Sequence, residues 1–157
     1  VAAGRGESVA RGARGMRYWL FKSEPDAWSW DDQLARGAAG EPWTGVRNYQ
    51  ARNNMRAMAV GDRGLFYHSN LGKAVMGTVE VIAPAAPDPT ADDPKWDCVT
   101  IRARLPLPRP VTLEAAKADP RLAAMMLVTN TRLSVQPVAD AEWQVICELG
   151  GLDPDTA

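Results

Sequence analysis

Histidine is nearly absent: His68 is the only one among 157 residues. Cysteine is scarce as well, with Cys98 and Cys147 far apart in the chain. A zinc site needs three or four ligands in recognisable spacing. One histidine and two isolated thiols supply none, so no metal is expected. Two cysteines without a secretion signal or a C-x-x-C pair read as reduced thiols of a cytosolic protein. No apolar run approaches the roughly 20 residues that cross a bilayer, so no membrane partner is expected. The phosphate and dinucleotide cradles G-x-x-x-x-G-K-[ST] and G-x-G-x-x-G are missing too, and no cofactor is expected. The formal net charge is −1, which gives no global basic field. Nucleic-acid binding would therefore have to come from a local patch or a pocket.

The lone histidine stands in F-Y-H-S-N, residues 66–70, directly before Ser69. A serine-histidine-acid triad needs the serine on one side of the imidazole and an acid on the other. Neighbouring strand residues point to opposite faces, so Ser69 does not readily reach His68. No G-x-S-x-G elbow is present. Both points argue against a serine nucleophile. Glu24, at a strand end, is the best candidate for carboxylate chemistry, with a surface cap as its other reading.

What is present is an ordinary globular composition, 46% hydrophobic and 24% charged, in a chain the size of one domain. A chain this long buries roughly two-thirds of its unfolded surface and needs no staples. Residues 1–15 differ: Ala, Gly and three arginines against one glutamate. They read as a disordered tail, or as sequence upstream of a first residue at Met16. The body is expected over 16–152, with a short tail over 153–157.

Tyr18-Trp19-Leu20-Phe21 reads as a buried strand closed by Pro25. Ser29 caps a short helix stopped by Gly37. Tyr49–Met58 reads as a helix with Tyr49, Arg52 and Arg56 on one face and Met55 and Met58 on another. Leu65–Ser69 is a strand, Leu71-Gly72-Lys73 a tight connection, and Ala74–Ile82 an alternating strand. Residues 84–95, with four prolines and the turn residues Asp88, Thr90, Asp92 and Asp93, read as a surface loop. Asp97–Leu105 alternates again, and prolines 106, 108 and 110 keep the next stretch of chain at a sheet edge or outside it. Thr112 and Asp119-Pro120 open two short helices. Arg132–Gln136 is a strand, and Asp140 caps a final helix ending at Gly150-Gly151. About five or six short strands with inserted helices give a small mixed α+β barrel.

Six tryptophans are many for this size. Trp19 and Trp143 are expected in the core. Trp43 lies in the loop E-P-W-T-G-V-R-N-Y-Q, where an indole either pins the loop or offers a flat face to a ligand. Residues 44–64 carry four arginines and one acid. Arg47, Arg52 and Arg56, near a helix start at Asn48, make a candidate phosphate footprint, a solvated helix face being the alternative. Stacking on an aromatic wall and a polar edge reader are the minimum for recognising a nucleobase. Trp43, Asn48, Ser23, His68 and Ser69 would suit such a pocket.

Several stretches in order resemble one family. Y-W-L-F-K-S-E-P (18–25), W-T-G-V-R-N-Y-Q-A-R-N-N-M-R (43–56), G-D-R-G-L-F-Y-H-S-N (61–70), V-M-G-T-V-E-V (75–81) and R-L-S-V-Q-P-V (132–138) are similar to the EVE domain, which the thymocyte nuclear protein family shares. The resemblance implies a PUA-like fold, a small twisted mixed β-barrel with surrounding short helices, akin to PUA, ASCH and YTH domains. It implies a monomeric, non-catalytic reader of nucleic acid, DNA or RNA, that takes a modified base such as carbon-5-modified cytosine or methylated adenine into an aromatic-lined pocket. Carried over by position, that pocket is lined by Lys22, Ser23, Glu24, Trp43, Val46, Asn48, His68, Ser69, Arg132, Leu133 and Ser134. Phosphates fall to Arg47, Arg52 and Arg56. His68 is then a hydrogen-bonding group of the pocket wall, with a structural hydrogen bond as the other reading. Two rival readings are a hydrolase of modified nucleosides on the same fold, with Glu24 or Lys22 and His68 as acid and base, and an interaction module whose pocket is vestigial.

Overall fold

The structure is a computed structural model that describes residues 15–157. The tail expected over residues 1–15 lies, apart from Gly15, outside the described residues. Six strands form one sheet: β1 (Tyr18–Ser23), β2 (Glu41–Pro42), β3 (Arg63–His68), β4 (Ala74–Pro87), β5 (Asp97–Thr112) and β6 (Val135–Val138). Five helices accompany them: α1 (Trp30–Ala35), α2 (Tyr49–Ala57), α3 (Leu113–Ala118), α4 (Met126–Thr129) and α5 (Asp140–Gly150). The strand order is β2-β5-β4-β3-β1-β6. β1 runs parallel to β3, in register from Tyr18↔Arg63 to Ser23↔His68, and the other neighbours are antiparallel.

The α+β architecture read from the sequence is present, but hydrogen bonds do not close the sheet into a barrel. β2 and β6 are its two edges. Helix α2 packs against both β5 and β6, and Asn54 Nδ2 donates to the Val135 carbonyl at 2.7 Å.

The strand period decides which residues go to which face. Trp19 and Phe21 of β1 join Phe66 of β3 in one core, while Leu20, Leu65 and Tyr67 join the other. The first core also takes in Trp30 of α1, Ala51 and Met55 of α2, Met58 directly after it, and Trp43 and Val46 from the loop between β2 and α2. The second holds Trp143 and Ile146 of α5 with Leu122, Met125 and Leu127. Both tryptophans assigned to the core, Trp19 and Trp143, are buried. Trp19 Nε1 donates to the buried Asp62 carboxylate at 3.0 Å.

Several boundaries differ from the sequence reading, β6 among them, which runs over Val135–Val138 where a strand over Arg132–Gln136 is expected. β4 runs on to Pro87 and β5 on to Thr112, through the prolines. β5 pairs with the two-residue β2 at Thr100 and Ile101, and beyond that point its bonds go to β4. Its outer side is then a free edge, where a missing proline N–H removes no ladder bond. The register shift between Val75↔Val111 and Gly77↔Pro106 takes up the residues between as a bulge. The last helix is capped by Ala139, not Asp140: Glu142 Oε1 accepts from the Ala139 N–H at 2.9 Å. Finally, residues 153–157 fold back onto the domain. Trp143 Nε1 donates to the Pro154 carbonyl, and the buried Ala157 carbonyl accepts from Arg63 and Arg104.

Candidate nucleic-acid interface

The parallel pairing of β1 and β3 brings the carboxyl ends of two strands to the same edge of the sheet. Crevices at such edges are where ligands enter mixed and parallel sheets. Ser69 N–H donates to the Ser23 carbonyl, and Lys22 N–H to the Ser134 carbonyl, both at 2.9 Å. These bonds lock the ends of β1 and β3 to the segment entering β6. A cleft of about 730 Å³ opens there. It falls within the usual range for ligand sites, about 300–1,000 Å³.

The cleft is lined by Lys22, Ser23 and Glu24, by Ala27 and Trp28 before α1, and by residues 41–47. Ser69 and Asn70 of the β3–β4 turn and Thr131, Arg132 and Ser134 complete it. Asn70 sits at φ 64°, a left-handed conformation that asparagine tolerates better than most residues. Lys22 Nζ donates to the Thr131 carbonyl at 2.9 Å, and burial lowers the pKa of its ammonium. Ser23 Oγ donates to the Trp28 carbonyl, which fixes that loop against β1. Trp28 Nε1 donates to Gln33 Oε1 at 2.9 Å.

The loop carrying Trp43 is held by a buried carboxylate. Asp88 accepts from the Gly45 N–H at 2.8 Å, from Arg47 Nη1 at 3.1 Å, and from the Thr90 N–H and hydroxyl at 2.7 and 2.6 Å. Burial alone would raise its pKa. The hydrogen bonds from Thr90, Gly45 and Arg47 outweigh that and hold it at about 2. Trp43 itself is 8% exposed, with its indole edge-on to Phe21 and Phe66 at 5.5 and 5.8 Å between centroids. It lines the cleft as the exposed margin of a core residue. Trp28 is only half-buried and offers the larger aromatic surface there.

Eight of the eleven residues expected around a base pocket line this cleft: Lys22, Ser23, Glu24, Trp43, Val46, Ser69, Arg132 and Ser134. Three do not. Asn48 is the N-cap of α2, its Oδ1 accepting from the Ala51 N–H at 2.9 Å. Leu133 is buried in the core. His68 Nε2 accepts from the Trp30 N–H at 3.0 Å and so fixes the start of α1, the structural reading rather than the pocket wall. That bond requires a neutral imidazole. Burial lowers the His68 pKa, against an opposing pull from Asp31.

The three arginines expected on phosphates are held by the protein itself. Arg47 pairs with Asp88 while lining the cleft. Arg56 pairs with Asp97 at 2.6 Å, and Arg52 Nη1 donates to the Lys95 carbonyl at 3.1 Å. Arg52 and Arg56 tie α2 to Lys95 and to the start of β5, and Arg47 ties the loop before α2 to the β4–β5 connection. Among the described residues, Arg132 forms no ion pair, and no three of His, Cys, Asp and Glu come together to hold a metal ion. Trp28, Thr44, Gly45, Asn70 and Thr131 were not legible as lining residues. Trp28 had a signal, an indole in a short loop like that of Trp43.

A small α+β domain with a hydroxyl- and cation-rimmed cleft beside its parallel strand pair is thus defined. The chain belongs to the EVE domain family, whose model matches residues 17–149. Mouse thymocyte nuclear protein 1 is 34% identical, over 87% of this chain and 75% of that protein. A crystal structure of an Agrobacterium tumefaciens protein is 58% identical with a TM-score of 0.87, covering 90% of this chain and 99% of the other. The crystal structure of human THYN1 in complex with DNA containing 5-methylcytosine is 31% identical, with a TM-score of 0.80 over 88% of this chain and 99% of that one.

Proposed function

We propose that the cleft receives a modified base of DNA or RNA and that the domain is a reader, not an enzyme. The observation that carries this is the coincidence of aromatic surface with a rim of hydroxyl, amide, ammonium and guanidinium groups at the β1/β3 edge. It occurs in a chain whose fold matches that of human THYN1 seen with DNA containing 5-methylcytosine. A base enters such a cleft from a single strand or by swinging out of a duplex. Trp28 and the margin of Trp43 supply stacking, which any base accepts. Ser23, Ser69, Asn70 and Ser134 supply donors and acceptors for its edge. Arg132, with no internal ion pair among the described residues, takes a neighbouring phosphate.

The hydrolase reading asked His68 to work with Glu24 or Lys22 as acid and base. The Nε2 lone pair of His68 is occupied by the Trp30 N–H, and His68 is not among the residues lining the cleft. A general base must reach the proton it removes, so the geometry favours binding over turnover.

The test compares fluorescence anisotropy of short oligonucleotides carrying cytosine, 5-methylcytosine or N6-methyladenine at one position. A preference for a modified over an unmodified strand, lost in Trp28→Ala, supports the reading. Equal affinity for every strand, or release of product from modified nucleosides, overturns it.

A further inference from the structure

A second aromatic feature lies beside the cleft. Tyr49, the first residue of α2, is 53% exposed, and its ring stacks on that of Trp96 at 5.0 Å and 30°. Trp96 belongs to the connection between β4 and β5, so the pair joins segments almost fifty residues apart. Cations surround it. Arg52 lies 4.9 Å from the Tyr49 ring centre and 6.0 Å from that of Trp96, and Lys95 Nζ lies 5.4 Å from both. Arg47 lies 5.9 Å from the Trp96 ring and also lines the cleft. The surface is therefore continuous with the cleft mouth.

Anchoring the loop does not account for this arrangement. Arg56–Asp97, Arg47–Asp88 and Arg52 on the Lys95 carbonyl already fasten it. A tyrosine ring half in water adds little burial, whereas a flat π-surface ringed by guanidinium and ammonium groups is what single-stranded nucleic acid stacks on. Arg52 has no carboxylate partner among the described ion pairs; its guanidinium donates only to neutral oxygens, Asn53 Oδ1 and the Lys95 carbonyl, for which a phosphate can compete. The Lys95–Asp93 pair, at 3.5 Å between exposed side chains, is weak enough to exchange for phosphate.

We infer that Tyr49 and Trp96 form a platform for a base flanking the one in the cleft, with Arg52 and Lys95 on the adjoining phosphates. The ligand is single-stranded DNA or RNA, and the platform reads no sequence. The direction of the strand rests on the cleft being a base pocket, but the two are separable. Three probes suffice: a labelled nine-nucleotide single strand with central 5-methylcytosine, the same strand unmodified, and free 5-methyl-deoxycytidine. Tyr49→Ala is expected to weaken both oligonucleotides about tenfold or more while leaving the nucleoside affinity unchanged. Arg52→Gln is expected to weaken both and to flatten the dependence of affinity on salt. If wild type binds the two strands equally and Tyr49→Ala still weakens both, the cleft reading fails and the platform stands. If both variants melt like wild type and bind the strands as wild type does, the platform is overturned. It is equally overturned if Tyr49→Ala lowers nucleoside and strand affinity alike.

Discussion

Asp88→Ala tests how the cleft is held open. The wild-type carboxylate has no exposed side-chain surface and satisfies four donors from Gly45, Arg47 and Thr90. Removing it leaves the Gly45 and Thr90 N–H groups without their acceptor, at about 1–3 kcal/mol in all, because both residues are exposed and water replaces part of what is lost. Breaking a buried ion pair from one side costs about 3–5 kcal/mol, but the Arg47 side chain is 39% exposed and regains water. The expected loss at neutral pH is about 2–4 kcal/mol.

Proton linkage gives a second figure for the same hydrogen bonds. The folded-state pKa is about 2 against an ordinary 3.8. At about 1.4 kcal/mol per unit, this amounts to about 2.5 kcal/mol. Because the folded pKa is depressed, that stability is fully present above pH 4 and disappears as pH falls from about 4 to 2. Urea unfolding of wild type and Asp88→Ala at pH 7 and pH 3 measures both. The gap between them should be wide at pH 7 and narrower at pH 3, and the variant should bind a modified strand less well because residues 43–47 line the cleft. A pH-independent gap, or one under about 0.5 kcal/mol, would refute the claim that this carboxylate organises the loop.

Other outcomes are expected. His68 needs a neutral imidazole, and its depressed pKa makes the unfolded chain the better proton acceptor; thermal stability should fall as pH drops below about 6.5. His68→Gln, whose amide oxygen can take the Trp30 N–H, should show a flatter profile between pH 7 and 5 and undiminished strand binding. Trp43→Ala should lower stability by about 3–5 kcal/mol, because it removes an indole packed on Phe21 and Phe66. Trp28→Ala should mainly lower affinity. Equal stability losses in chemical denaturation would show that both rings are core. Gly77→Ala places a methyl against the Trp30 ring and should destabilise by about 1–3 kcal/mol or more in the same assay, with Trp30→Leu partly relieving it.

The elements legible in the sequence are those specified locally. Ser29 with Asp32, Thr112, and Gly151 at φ 88° mark helix ends through bonds spanning a few residues. The alternation of Trp19, Leu20 and Phe21 assigns the two faces of β1 without knowledge of its neighbours. What was hidden depends on partners distant in the chain. His68 is drawn to an N–H 38 positions away, and Arg56 to an aspartate 41 positions away. Asp88 looked like a turn residue in a proline-rich loop; its role appears only when Gly45 and Arg47 arrive beside it. The prolines of β5 leave two readings open, a sheet edge or no sheet at all, and only the strand order decides for the edge.

The displacement of His68 and the burial of Trp43 change what recognition must rest on. With the imidazole bonded to α1 and the indole mostly in the core, the groups left to face a base are a half-buried tryptophan, serine hydroxyls, an asparagine in a left-handed turn, and cations. Asn70, Arg47 and Arg132 are exposed, whereas the serines are only part-exposed and are placed by backbone bonds at the strand ends. Selectivity should therefore follow the shape of the rim more than any single side chain, since one hydroxyl-to-base hydrogen bond nets about 0.5–1.5 kcal/mol. Single substitutions at Ser23, Ser69 or Ser134 should each cost about tenfold or less in affinity. Loss of the Asp88 clamp, which moves several lining residues at once, should cost more than any of them.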